Sequence, residues 1–304
     1  MSTIVRARGL TKRYPGVTAL DAVDLDLPAG RVGLVGANGA GKTTLFRLLL
    51  GLSQPDAGTV DVCGIPVADD PIGVRSRIGY MPEHDCLPLD QTAADVVATF
   101  GELGGLPVRA ARQRASEVLD LVGLDEARFR PVGGFSTGMR QRTKLAQAIV
   151  ADPELVLLDE PTAGLDPSGR EEMLALVARL GGFGISVLLA THLLDDVAQV
   201  CDHVVMLDGG RLVTDAPTTS LLHRTGTVTV DVGPAGTAML ARALTSLGLE
   251  VAVDEAATVE VTVDGDRDLD VIRDTVAELG LPLHKLTNRL TSLDEVFVDR
   301  APAP

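Results

Sequence analysis

The chain has 304 residues, of which 45% are hydrophobic, and its formal net charge is −15. This length accommodates one large domain or two ordinary ones, with enough apolar residues to bury a core. The acidic balance argues against a nucleic-acid-binding protein and against adhesion to anionic lipid, since both normally require a basic surface. No apolar run approaches the roughly 20 residues of a transmembrane helix, and the three separated cysteines indicate free thiols in a reducing compartment.

Two segments near the N-terminus alternate apolar and polar residues, which predicts strands at residues 4–8 and 24–27. Tyr14 lies between them, directly before Pro15. Its ring is suited to stacking on a nucleobase, but a tyrosine that closes the turn before the proline explains the position equally well. The spacing leaves both interpretations open.

A glycine-rich loop follows the next predicted strand, at residues 31–35. Residues 36–44 fit the phosphate-binding pattern of Gly, four residues, then Gly-Lys-Thr, and helical residues follow them. In such a loop the backbone N–H groups face an anion at the positive end of a helix. Lys42 then contacts the β- and γ-phosphates, and the Thr43 hydroxyl binds Mg²⁺. The predicted nucleotide contacts are Gly36, Asn38, Gly39, Gly41, Lys42, Thr43 and Thr44.

Two further strands are predicted to deliver acidic residues to loops. The first ends at Pro82 and places Glu83 in the loop after it, and the second is an apolar run that ends in Asp159 and Glu160. Burying a strand that carries acids is costly unless the acids are used. We therefore predict that Asp159 holds Mg²⁺ through water and that Glu160 is the general base for the attacking water. Structural carboxylates that cap a turn are the alternative.

Helical periodicity between these two strands predicts a helical subdomain, at about residues 84–150, inserted into an α/β core. Near its end Ser136 is a suitable N-cap for a helix that begins at Gly138. The positive end of this helix suits a phosphate. Taken by itself, however, the segment is better explained as an ordinary capped helix with a basic solvent-facing side.

A tight loop containing Asp166 comes next, followed by a helix that extends to Leu180. The apolar segment at residues 185–190 is predicted to be another buried strand, and it ends at Thr191 and His192. Open α/β sheets bind ligands at the carboxyl ends of parallel strands. His192 is therefore a stronger functional candidate than a single histidine elsewhere.

In this order the motifs resemble those of the ATP-binding subunit of an ABC transporter, and the resemblance covers residues 3–222. The matching elements are Walker A at residues 36–43, Walker B at residues 155–159, the catalytic glutamate Glu160, the signature loop at residues 135–139, the D-loop at residues 164–166, the switch histidine His192 and the adenine-stacking Tyr14. The resemblance implies a RecA-like P-loop NTPase fold, an α/β nucleotide-binding domain with antiparallel β and helical subdomains. It also implies ATP and Mg²⁺ as ligands, with Ser136, Gly138, Asp166 and Glu83 contributing to nucleotide or metal binding.

Three positions depart from the commonest pattern of this family. Glu83 stands where glutamine is usual, Thr137 replaces the first glycine of the signature, and Met139 replaces its glutamine. Glu83 remains able to bind Mg²⁺ or its water, although it adds negative charge near the γ-phosphate. These variants resemble those of ABC-2 exporters, so we interpret them as marks of that subclass.

The sequence has one Walker A, one signature and one Asp-Glu-Pro motif. In the family it resembles, the signature of one cassette completes the nucleotide site of another. The resemblance therefore implies a dimer with a second copy or a close paralogue, in which Ser136 and Gly138 act across the interface. It also implies integral-membrane permease subunits, a peripheral location on the cytoplasmic face of the cell membrane, and export of a drug, lipid or polysaccharide.

A soluble ABC ATPase that acts on ribosomes or DNA is the alternative function. Such proteins usually carry two cassettes in one chain or a coiled coil inserted in a cassette, and this acidic chain shows neither pattern. A P-loop kinase or GTPase fits less well, since the signature, the Asp-Glu-Pro motif and His192 argue against it. We therefore expect no nucleic-acid partner.

The remaining residues, 223–304, are more acidic per residue than residues 1–222. Their pattern predicts the order βαββαβ, with a last strand at residues 281–286, which suggests a small ferredoxin-like α+β C-terminal domain. The Leu-Asp-Glu-Val-Phe motif at residues 293–297 resembles the end of daunorubicin-resistance-type ABC ATPases. We expect this domain to regulate the ATPase or to stabilise its dimer.

Overall fold

The computed structural model describes residues 3–221, 224–254, 258–263 and 265–290. The chain divides into two compact units, Met1–Thr218 and Thr219–Pro304. The domain boundary predicted between residues 222 and 223 lies outside the described residues.

The first unit combines two β-sheets with helices. Its strands are β1 Thr3–Tyr14, β2 Val17–Pro28, β3 Arg31–Val35, β4 Ala57–Val62, β5 Ile65–Pro66, β6 Ile78–Met81, β7 Leu155–Asp159, β8 Ser186–Thr191, β9 His203–Asp208 and β10 Arg211–Pro217. The helices of this unit are α1 Lys42–Leu49, α2 Pro71–Arg75, α3 Ala93–Leu103, α4 Val108–Leu121, α5 Thr137–Ile149, α6 Pro167–Leu180 and α7 Leu194–Val200, and α8 Thr218–Leu221 contains the boundary between the two units. None of the helices in the described part of the chain has the length and apolar character that crossing a bilayer requires.

An antiparallel sheet with the order β2-β1-β4-β5 contains the N-terminal residues. Strands β1 and β2 are longer than the alternation predicted, because the pairing of the hairpin continues to Tyr14 and Val17. Tyr14 is thus the last residue of β1, and the turn consists of Pro15 and Gly16. Gly16 has a φ of +83°, a backbone conformation that favours glycine.

The central sheet has the order β10-β9-β3-β8-β7-β6. Five of its strands run parallel, and β10 is an antiparallel strand at one edge. The strands β7 and β8 are buried along their whole length, as expected for parallel strands that are covered on both faces. This sheet forms the α/β core that the sequence predicts.

Helices α3, α4 and α5 pack together between β6 and β7 in the chain, and α5 also packs against β6. Ser136 is the N-cap of α5, and its Oγ accepts a hydrogen bond from the N–H of Met139 at 3.3 Å. The predicted start of this helix at Gly138 is wrong by one residue, because the Ser136 cap places Thr137 in the first turn.

The second unit contains β11 Arg224–Asp231, α9 Pro234–Ser246, β12 Val251–Val253, β13 Val259–Thr262, α10 Asp266–Glu278 and β14 Lys285–Leu290. Its strands form an antiparallel sheet with the order β12-β13-β11-β14. The last strand begins at Lys285, four residues later than predicted, and overlaps the predicted residues 281–286 only at its start. Gly280, at φ +64°, follows the end of α10, and pairing with β11 starts at Lys285. The ferredoxin-like assignment stays a prediction, and the motif at residues 293–297 lies outside the described residues.

Candidate nucleotide-binding site

The predicted functional loops leave the central sheet at one edge, because they follow parallel strands in matched register. Val35 pairs with Thr191 across β3 and β8, and Asp159 pairs with Ala190 across β7 and β8. The end of β8, with His192 just beyond it, therefore lies between the glycine loop and Glu160. Ligands bind at this edge in open α/β sheets.

A cavity of about 350 Å³ opens at this edge. The residues that line it are Tyr14, Val17, Ala19, Ala37, Asn38, Gly39, Gly41, Lys42, Thr43, Thr44, Glu83, Asp159 and Glu160. Most of the residues that the sequence predicted at the nucleotide are therefore together in one cavity. Val17 and Ala19 were not predicted, because no motif marks them and only the pairing of the hairpin brings β2 to this position.

The backbone of the glycine loop requires glycine at specific positions. Gly39 and Gly41 have φ values of +87° and +109°, which side chains rarely adopt. A Cβ atom at Gly41 would lie 2.5 Å from the carbonyl oxygen of Ala19, and one at Gly36 would lie 2.4 Å from that of Leu207. The loop therefore packs against its neighbours by backbone contact, and α1 begins directly after it at Lys42.

Lys42 is 7% exposed, and its Nζ donates hydrogen bonds to the carbonyl oxygens of Gly36 and Ala37. The same ammonium lies 3.9 Å from Oε1 of Glu160. Burial lowers the pKa of Lys42, whereas the carboxylates of Glu160, Asp159 and Glu83 raise it. Because phosphate oxygens are stronger acceptors for an ammonium than backbone carbonyls, this side chain is suited to exchange its present partners for a polyphosphate.

Glu160 is buried and held from two directions. Thr191 Oγ1 donates a hydrogen bond to Oε2 of Glu160 at 3.2 Å, and Nδ1 of His192 lies 3.0 Å from Oε1. The backbone of Glu160 has a φ of +48°, which is uncommon for a residue with a side chain. Such strain persists where the surrounding structure fixes a side chain, so the carboxylate has a defined orientation at the cavity. Thr191 is a supporting residue that the sequence analysis did not identify as functional.

Asp159 lies beside Glu160 at the end of β7 and is 3% exposed. Burial raises the pKa of Asp159 to about 6, the carboxylates of Glu83 and Glu160 contribute in the same direction, and Lys42 opposes them. Three carboxylates thus face the cavity near one ammonium. A divalent cation would offset this excess negative charge. No three acidic, His or Cys side chains in the described part of the chain are placed to coordinate one together, so such an ion would take further oxygen ligands from nucleotide and water.

Tyr14 is half-buried at the rim of the cavity, at the end of β1. The Nζ of Lys12 lies 5.6 Å from the centre of its ring, within the range of a cation–π contact. The ring therefore has a place beside the phosphate loop from which it can contact a base. Its adenine-stacking role stays a prediction.

Ser136, Gly138 and Asp166 do not line this cavity. They lie with Thr137 and Met139 around a separate surface depression of about 460 Å³. Asp166 is the N-cap of α6 and accepts a hydrogen bond from the N–H of Gly169 at 3.3 Å. A single chain therefore places the predicted nucleotide contacts in two separate sites.

A buried carboxylate connects the loop after Glu160 to two helices. Thr162 Oγ1 donates a hydrogen bond to Oδ2 of Asp196 at 2.7 Å, and Nε of Arg170 donates to Oδ1 at 2.5 Å. Asp196 is fully buried on α7, the helix that follows His192. These two hydrogen bonds connect α6 and α7 to the loop that follows Glu160. The three residues are too far apart in the sequence for a local pattern to predict this connection.

Comparison with known proteins identifies relatives of the whole chain. The model of the ABC transporter family matches residues 20–163. The daunorubicin resistance ATP-binding protein DrrA3 of Streptomyces coeruleorubidus is 36% identical over 302 residues, covering 97% of this chain and 95% of the relative. The Nod factor export ATP-binding protein I of Ralstonia nicotianae is 36% identical, covering 75% of this chain and 72% of the relative.

The fold also has solved counterparts. The structure of cbiO1 from Clostridium perfringens, part of the ABC transporter complex cbiONQ, aligns with a TM-score of 0.66 and 26% identity. The alignment covers 73% of this chain and 91% of that structure.

Proposed function

The chain belongs to the ABC transporter family as an ATP-binding and ATP-hydrolysing subunit. We propose that it works as a head-to-tail dimer that drives export through separate permease subunits. The partner ATPase is a second copy or a close paralogue. Two ATP molecules lie between the two chains, each between the cavity of one chain and the Ser136–Gly138 segment of the other.

The separation of the two sites on one chain is the observation that carries this proposal. Lys42 and Glu160, which we assign to phosphate binding and water activation, line the cavity, whereas Ser136 and Gly138 line a different depression. A C₂ dimer that apposes these two surfaces forms two equivalent sites at once. The N-cap Ser136 and the start of α5 would then present N–H groups and a positive helix end to the γ-phosphate of the ATP on the partner.

Within each site the residues of one chain have separate roles. Lys42 and the loop backbone bind the β- and γ-phosphates, while Tyr14 stacks on adenine. The Thr43 hydroxyl, Asp159 and Glu83 all line the cavity and fit Mg²⁺, which prefers oxygen ligands and takes its others from water and phosphate. The ion would offset the negative charge of the phosphates and the three carboxylates.

Hydrolysis requires a proton acceptor for the attacking water. Glu160 accepts that proton while the water oxygen bonds to the γ-phosphorus and the bond from phosphorus to the β,γ-bridging oxygen breaks. His192 and Thr191 hold the Glu160 carboxylate for this step. Lys42 stabilises the negative charge that remains on the departing ADP.

We propose a drug, lipid or polysaccharide as the exported substrate. The names of the relatives, which concern daunorubicin resistance and Nod factor export, support an exporter. The permease subunits determine which substrate is carried, and their contact with this chain places it on the cytoplasmic face of the cell membrane.

Co-purification from native membranes tests this function against its alternative. We expect the tagged chain to retain a partner with several membrane spans, and the complex reconstituted in vesicles to show ATP-dependent substrate transport. Isolation with ribosomes or DNA, without such a partner, would support a soluble ABC ATPase instead.

The C-terminal unit leads to a separate prediction. A chain that ends after Leu222 keeps all the cavity-lining residues, so its affinity for ATP should stay within about twofold of the full-length value. If the tail stabilises the dimer, the truncated chain should dimerise at higher concentrations and transport more slowly. Equilibrium ATP binding, analytical ultracentrifugation and vesicle transport measure these three properties. Unchanged dimerisation and transport would exclude the proposed role of the tail.

A further inference from the structure

Lys144 is a buried cation with no role in the hydrolysis described above. It lies on α5, the helix that Ser136 caps, and is 1% exposed. Burial lowers the pKa of Lys144, whereas acidic neighbours, including Asp85, Glu83 and Asp159, raise it. A buried ammonium is costly unless charge or hydrogen bonding compensates it, and a methionine would fill a similar volume without that cost.

The ammonium of Lys144 contacts the loop that carries Glu83. Its Nζ donates a hydrogen bond to the backbone carbonyl oxygen of Glu83 at 2.8 Å. The side chain of Glu83 is exposed and lines the nucleotide cavity. Lys144 therefore fixes the backbone from which the Glu83 carboxylate reaches the cavity.

Gln141 makes a second contact of this kind one turn earlier on α5. Its Nε2 donates a hydrogen bond to the carbonyl oxygen of Ala163 at 3.2 Å, in the loop that follows Glu160. Residues three apart lie on the same side of a helix. One side of α5 thus holds the Glu83 loop and the loop after Glu160 by hydrogen bonds from side chain to backbone, and the same helix packs against β6.

Charge is the second part of the relationship between Lys144 and Glu83. Lys42 and Lys144 both lie near Glu83 and Asp159. When ATP binds, Lys42 must turn to the phosphates, and the added negative charge raises the cost of a carboxylate at position 83. Lys144 is another ammonium near Glu83, and it does not line the cavity.

We propose that Lys144 is a positioning residue for ATP hydrolysis, whose hydrogen bond anchors the Glu83 loop and whose charge lets the Glu83 carboxylate tolerate the γ-phosphate. The inference rests on the proposed placement of ATP beside Glu83. It separates two effects. Loss of the charge weakens ATP binding more when residue 83 is a carboxylate than when it is neutral, whereas loss of the hydrogen bond slows turnover whichever residue stands at position 83.

Steady-state ATPase kinetics and equilibrium MgATP binding of the full-length chain test the proposal. We expect Lys144→Met to raise KM and Kd for MgATP by about fivefold and to lower kcat by about tenfold. In a Glu83→Gln background the same substitution should change KM by less than about twofold and still lower kcat. Lys144→Gln, which keeps an N–H donor without the charge, should raise KM and largely preserve kcat.

Thr143→Val is the matched control on the same helix. Thr143 is fully buried, and its Oγ1 donates only to the Met139 carbonyl oxygen within α5 among the hydrogen bonds of the described residues. We expect this variant to keep wild-type constants, and thermal unfolding of every variant to report folding separately.

The proposal fails if Lys144→Met and Lys144→Gln keep wild-type constants, or if KM rises equally with glutamate and glutamine at position 83. A wild-type chain that binds no ATP would contradict the proposed function and this inference together. If the wild-type chain hydrolyses ATP and the Lys144 variants have the same KM, Kd and kcat as the wild type, only the inference is contradicted.

Discussion

Replacing Glu160 by glutamine is expected to lower the ATP turnover rate about 10²- to 10⁴-fold, the usual contribution of a general base. Glutamine fills nearly the same space and still accepts the hydrogen bond from Thr191, but it cannot take a proton from water. Binding should be preserved or strengthened, because one negative charge near the triphosphate is lost. Phosphate release under single-turnover conditions and equilibrium ATP binding measure the two quantities.

Glu154→Gln is the matched control, because it removes a carboxylate directly before the first residue of β7, the strand that ends next to Glu160. Glu154 forms an exposed ion pair with Arg77, and such pairs contribute little to stability. We expect its turnover to equal that of the wild type. A Glu160→Gln variant with wild-type turnover would show that another group is the base.

The grouping of the glycine loop, Glu83 and Glu160 at the carboxyl end of the central sheet could be predicted from the sequence, because each loop is specified by a short, continuous segment. The glycine loop, the buried strands and the residues at their ends are encoded within short segments, and parallel pairing brings the ends together. The cavity accordingly contains Lys42, Thr43, Glu83, Asp159 and Glu160.

The remaining contacts depend on residues that are distant in the chain. Lys144 lies 61 positions from Glu83, and Asp196 lies 34 positions from Thr162. No spacing rule relates such pairs before the helices are placed. Likewise, the extension of β1 to Tyr14 follows from the register of the hairpin, and the alternation of residues 4–8 gives no sign of it.

The second large effect concerns the two separate sites on each chain. Lys42→Met should weaken ATP binding roughly 10²-fold or more, because it removes a buried ammonium from the phosphates. Gly138→Asp should leave ATP binding to its own cavity intact but abolish turnover, since it aims a carboxylate at the γ-phosphate held by the partner. A Cβ at position 138 lies 3.7 Å from Leu165, so the residue fits, and an aspartate in the first turn of α5 is compatible with the helix.

Mixing these two inactive variants tests the shared site most directly. In a dimer of one Lys42→Met chain and one Gly138→Asp chain, one site carries both substitutions and the other carries neither. With random pairing, about half of the dimers are mixed, and each mixed dimer has one intact site and one doubly substituted site. ATPase activity should therefore recover to about a quarter of the wild-type value. Recovery to that level is the predicted result. A mixture no more active than its two components would show that each chain hydrolyses ATP without the signature of its partner.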